Sequence, residues 1–179
     1  MKRLTLLRHA KSGWDDSVTR DFDRPLNPKG HRAARTMGEH LRREGATFDR
    51  VVASPAVRVM ETLAEVADGY GSALAPQFDR RAYLASASSL LDIVRETPDT
   101  VETLLLAGHN PGLAELALLL VPEDESIVRD TIEDKYPTAG LATIALDVPS
   151  WEACEAGSGE LLSFVRPRDL DPSLGPDPE

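Results

Sequence analysis

Two histidines stand at the ends of short apolar runs. Leu4-Thr5-Leu6-Leu7 runs straight into Arg8-His9-Ala10, and Thr103-Leu104-Leu105-Leu106-Ala107 runs into Gly108-His109-Asn110-Pro111-Gly112. Apolar runs of this length, bounded by turn residues, read as buried parallel strands. Ligands in open α/β sheets bind beyond the carboxyl ends of such strands. The spacing therefore delivers two imidazoles to one rim, with a guanidinium beside the first. A third segment, Ser54-Pro55-Ala56-Val57-Arg58, puts another arginine in the first turn of an expected helix. A cation there opposes the helix dipole, so a bound anion would account for it, as would simple exposure to solvent. With Arg8 and His9, the set points to chemistry on an anion. A metal centre is the chemical rival, because histidine is a common ligand. Two arginines beside two histidines argue against it, and no CxxC or HxxEH-type spacing is present. No metal or other cofactor is expected.

The elements that position these residues follow from pattern. Asn27-Pro28, Ser54-Pro55 and Asn110-Pro111 each read as a helix start, with a capping residue before proline. The first helix carries Ala33, Ala34, Met37 and Leu41 on one face and ends at Gly45. A strand is expected over Phe48–Ala53. The second helix buries Val57, Met60, Leu63, Ala64 and Ala67 and ends at Gly69 and Gly71. A third spans about Ser88–Glu96 and is stopped by Pro98. The helix after Pro111 is apolar nearly all round and so buried. Residues 122–134 are acidic and mixed. Leu141–Leu146 and Leu161–Val165 read as a final strand pair, with Gly157-Ser158-Gly159 as turn residues. Alternating strands and helices predict an α/β fold, a three-layer α/β/α sandwich with a mostly parallel central sheet. Residues 1–166 form one domain in this reading, and 167–179 a proline-rich, poorly ordered tail.

With 179 residues, the chain is long enough for one domain with a sizeable core. Its net charge of −10 disfavours nucleic acid and anionic membranes as partners. The single cysteine, Cys154, allows no internal disulfide and fits a cytoplasmic location. The apolar run after Met1-Lys2-Arg3 is too short for a signal peptide, and no stretch reaches membrane-span length. His31 and His40 read as surface residues of the first helix, and Asp15-Asp16, Asp21 and Asp23 as carboxylates on a solvated loop.

Arg8-His9-Ala10, Ser54 to Arg58 and Gly108 to Gly112 together resemble the motif set of the histidine phosphatase superfamily, the phosphoglycerate mutase-like fold. Arg24-Pro25-Leu26-Asn27-Pro28-Lys29-Gly30 and Pro137-Thr138-Ala139-Gly140 are similar to its SixA-type phosphohistidine phosphatase branch. The resemblance covers about residues 2 to 168. It implies that His9 attacks phosphorus and forms a phosphohistidine that water hydrolyses. Arg8, Arg58 and His109 would stabilise the phosphoryl oxygens. Ser12, Arg24 and Asn110 are further candidates for substrate contact. Larger family members hold a carboxylate near the leaving group, and here Asp79 is the candidate, set against its alternative as a surface aspartate paired with Arg80 or Arg81. The implied partner is a phosphorylated substrate, a phosphohistidine protein first among them. A small-molecule phosphomonoesterase and a non-catalytic phosphate-binding module stand as alternatives.

Overall fold

The computed structural model describes residues 1–14, 20–124 and 126–175. Asp15-Asp16 and residues 176–179 of the expected tail lie outside these. The described strands are β1 (Lys2–Arg8), β2 (Arg50–Ala53), β3 (Gln77–Phe78), β4 (Thr103–Gly108), β5 (Leu141–Leu146) and β6 (Gly159–Val165). They form one sheet in the order β3-β2-β4-β1-β5-β6. The pairs β3–β2, β2–β4 and β4–β1 are parallel, and β1–β5 and β5–β6 are antiparallel. The site strands are neighbours: Leu7 pairs with Ala107 and Arg8 with Gly108. That register brings His9 and His109 out at the same level of the same edge.

Helices α1 (Pro28–Arg43) and α2 (Val57–Tyr70) cover one face, and α3 (Ala87–Arg95), α4 (Gly112–Leu120) and α5 (Ile127–Asp134) lie toward the other. Strand alternation feeds both layers. Leu4, Leu6, Leu104 and Leu106 pack with Leu113 and Leu116, while Leu7, Leu105 and Ala107 pack with Met37 and Leu63. Side chains of successive strand residues point to opposite faces, so a sheet buried on both sides needs a continuous apolar run. Gly38 allows α1 and α2 to touch: a Cβ there would lie 2.1 Å from the carbonyl oxygen of Val66.

Asn27 caps α1 as expected, its side chain accepting from the Gly30 amide at 2.8 Å. The other two helix starts differ. α2 begins after Ala56 and α4 after Pro111, so neither Ser54 nor Asn110 is the capping residue. A residue before proline is pushed toward extended backbone, which carries the strand direction past Ser54 before the helix turns. The expected Phe48–Ala53 strand pairs only from Arg50, and β3 is too short to show a period in sequence.

The C-terminal segment also departs from the expectation of a poorly ordered tail. Pro167–Leu170 forms a short helix, α6, which packs against α1, and a 3-10 turn follows at Pro172–Leu174. Leu174 is buried in the α1/α2 core layer. Proline at the first helical position favours such a helix start, and one well-placed leucine anchors the segment.

Candidate active site

Arg8 and His9 end β1, and the Pro137-Thr138-Ala139-Gly140 loop fixes their backbone. The Ala139 amide donates to the carbonyl of His9 at 2.9 Å, and the Arg8 amide donates to Gly140 at 3.1 Å. Ala139 takes a left-handed backbone, φ 58°, to reach both strand-end carbonyls. His9 is buried. Its Nδ1 lies 2.7 Å from the carbonyl oxygen of Ala10. A carbonyl only accepts, so Nδ1 carries the ring proton and Nε2 keeps its lone pair. Burial, opposed by that hydrogen bond and reinforced by Arg8, His109 and Arg58, pushes the His9 pKa down to about 3. The ring is neutral at pH 7, with the Nε2 lone pair free of a proton.

His109 follows β4. Its ring centroid is 5.3 Å from that of His9 and 5.4 Å from that of Tyr83. Arg58 Nη2 lies 3.3 Å from its Nδ1, and Ser54 Oγ lies 2.8 Å from its Nε2. Arg58 can only donate, so Nδ1 accepts and Nε2 donates to Ser54. Burial first, and the Arg58 charge second, lower the His109 pKa to about 4. His109 is thus neutral in the free protein, and a bound anion would favour its protonation.

Arg58 is 3% exposed, so it does not point to solvent. It donates to the Asp21 carbonyl at 2.8 Å and to Asp21 Oδ2 at 3.0 Å. Arg8 donates to the Tyr136 carbonyl at 2.9 Å, and its buried Nε has no hydrogen-bond partner. Burial and the nearby Arg58 charge draw the Arg8 guanidinium below its ordinary pKa. Two guanidinium groups and two imidazoles therefore converge at this edge of the sheet. Among the described residues no cluster of three or more His, Cys, Asp or Glu could hold an ion.

The other sequence candidates separate. Ser12 and Arg24 bind each other, with Nη2 donating to Oγ at 2.9 Å, and Arg24 also reaches Asp21. Asn110 donates to the same Tyr136 carbonyl as Arg8, and its Oδ1 accepts from Ala114. Asn110 thus braces the loop behind Arg8. Asp79 caps a 3-10 turn and is gripped by Arg81, which also pairs with Glu96. The Arg81 hydrogen bond is the main force holding its pKa below the ordinary carboxylate value. The arrangement is the surface ion pair and not a poised acid.

Asp21 corrects the reading of a solvated loop carboxylate. It accepts from Arg58, from Arg24 and from the Tyr83 hydroxyl at 2.6 Å. Desolvation would raise its pKa, but the hydrogen bonds from Tyr83, Arg24 and Arg58 prevail and hold it at about 2. Tyr83, Ser54 and Tyr136 are the other site residues that sequence reasoning missed. A phenol or hydroxyl in a loop carries no periodic signal, and its partner is distant in the chain.

A model of the histidine phosphatase superfamily (branch 1) matches residues 4–82. An uncharacterized protein of Mycobacterium tuberculosis is 34% identical over 164 residues, covering 90% of this chain and all of that protein. A structure from Nakamurella multipartitia that carries the name phosphohistidine phosphatase SixA is 28% identical, with a TM-score of 0.81 over 93% of this chain and 96% of that one. The protein histidine phosphatase SixA complexed with tungstate shares the fold, with 22% identity and a TM-score of 0.77 over 94% of this chain and 99% of that one. Two strand-end histidines, Arg8 with the buried Arg58, and these likenesses lead to one assignment: the chain belongs to the histidine phosphatase superfamily, in its SixA-type branch.

Proposed function

We propose that this phosphatase removes the phosphoryl group from phosphohistidine on a protein, through a covalent intermediate on His9. His9 Nε2 attacks phosphorus as the bond from phosphorus to the substrate nitrogen breaks. The electron pair returns to a ring already protonated on its other nitrogen, which leaves as neutral imidazole. Water then attacks phosphorus on His9, releasing inorganic phosphate and restoring the imidazole. Arg8, Arg58 and a His109 protonated beside the anion would neutralise the equatorial oxygens, which is most of what phosphoryl transfer requires. Chelators should therefore leave turnover unchanged.

One observation carries the choice of substrate. The acidic groups that sequence and structure bring into question are all ionised at pH 7: Asp21 is held at about 2, and Asp79 is locked below its ordinary value by Arg81. An alkoxide leaving group needs a proton, and a positioned donor speeds its departure by about 10²–10⁴-fold. A protonated imidazole leaving group needs none. The SixA-named relatives are consistent with this choice.

The test is a comparison of kcat/KM for a phosphohistidine protein, a phosphohistidine peptide and glycerol phosphate. Phosphohistidine should lead glycerol phosphate by about 10²-fold or more, the rate a missing acid withholds. Faster hydrolysis of glycerol phosphate would replace this reading with a small-molecule phosphomonoesterase.

A further inference from the structure

A cavity of about 530 Å³ is lined by Arg8 but not by His9, Arg58 or His109. Its walls come from the loop after β1, the first turns of α1, the loop between α5 and β5, and the C-terminal segment. Arg8, Lys11, Lys29, Lys135, Arg166 and Arg168 line it, with no carboxylate among the described lining residues. Six of the chain's 20 lysines and arginines thus surround one cavity in a protein of net charge −10. Random placement on an acidic surface would not concentrate them, and together they make a positive local field in an acidic protein.

Arg166 pairs with Asp169 at 2.8 Å, and Lys29 donates to the Gly175 carbonyl. These contacts hold the C-terminal segment in place as a wall. Lys135 and Arg168 are exposed and bring charge from two different elements. Arg8 is the common wall between cavity and catalytic pocket, and its buried Nε has no partner.

We propose that this cavity binds a compact polyanion of linked phosphate groups, beside the catalytic phosphate and sharing Arg8 with it. The volume falls in the range of about 300–1,000 Å³ for small-molecule sites. Guanidinium groups match phosphate oxygens in forked pairs, and lysines add mobile point charges. The ligand is either a separate effector or a second phosphate on the substrate itself.

The probe is inorganic tripolyphosphate, titrated by calorimetry with the catalytic pocket saturated by vanadate. One tripolyphosphate should bind per chain, and Lys135→Gln with Arg168→Gln should weaken it at least tenfold while leaving vanadate inhibition unchanged. With p-nitrophenyl phosphate as substrate, a tripolyphosphate effect on kcat at saturating substrate marks an effector. Competitive inhibition that the double variant relieves marks a second substrate phosphate. Binding that vanadate abolishes, binding indifferent to the double variant, or no binding would overturn the proposal. The proposal uses the catalytic pocket assigned above, but the two fail separately. Absence of vanadate inhibition counts against the phosphatase mechanism, and indifference to the double variant counts against this cavity.

Discussion

At the scale of single residues, the site separates a neutral imidazole with an open lone pair, the proposed nucleophile His9, from the charged groups around it. The His9 proton sits on Nδ1 because Ala10 offers only an acceptor there. Arg58 is aimed by Asp21, which is in turn held by Tyr83 and Arg24. Asp79 belongs to an ion pair of its own with Arg81. Asp79→Asn should therefore leave kcat for phosphohistidine within about twofold of the parent. A fall of the roughly 10²–10⁴-fold expected for a lost general acid, measured in steady-state kinetics, would make Asp79 the proton donor after all. The difference between these carboxylates was not legible in the sequence. Asp21 and Asp79 are both loop aspartates next to basic residues, and only the folding of the chain decides which arginine each one meets.

At the scale of elements, the legible parts were those with a long apolar run or a strong cap. β1, β4 and β5 are runs buried on both faces, and α1 has both a period and an asparagine cap, so their positions could be read directly. The arginine and histidine at the end of β1 and the histidine after β4 came with them. β3, with two residues, and the α6 segment carry too few side chains to show a pattern, and they are fixed by tertiary contacts. The β1–α1 junction is a case where an element places the site. A Cβ on Gly30 would lie 2.1 Å from the carbonyl oxygen of Lys11, and that same carbonyl accepts from the Asn27 amide. Gly30→Ala must push backbone that runs on from His9. It should destabilise the fold by about 1–3 kcal/mol, as overpacking does, and reduce kcat as well. A urea midpoint and a kcat both equal to the parent's would show that the junction yields freely.

At the scale of the whole molecule, the site places a condition on folding. His9 and His109 are buried neutral, with pKa values of about 3 and about 4 against an ordinary value near 6.5. Below pH 6.5 the unfolded chain takes up protons at these positions while the folded chain does not, so stability rises with pH across that window and falls on acidification. Each histidine contributes a slope that rises to at most about 1.4 kcal/mol per pH unit near pH 5 and is smaller toward pH 6 and pH 4.5. Urea midpoints should therefore fall from pH 7 to pH 5, and His109→Gln should remove about half of the part due to this pair. Midpoints level across that range would mean that the two imidazoles are not buried neutral.

The proposed covalent intermediate would join all three scales, because it needs the His9 lone pair, the strand-end geometry and a fold that keeps the ring uncharged. Its most direct measurement is the intact mass of the enzyme quenched in alkali during turnover of a phosphohistidine peptide, followed by mapping of the modified residue. One phosphoryl group should be found on His9, stable to base and lost in acid, and His9→Ala should carry none and turn over no substrate. A phosphoryl group on another residue, or full activity in His9→Ala, would contradict the mechanism.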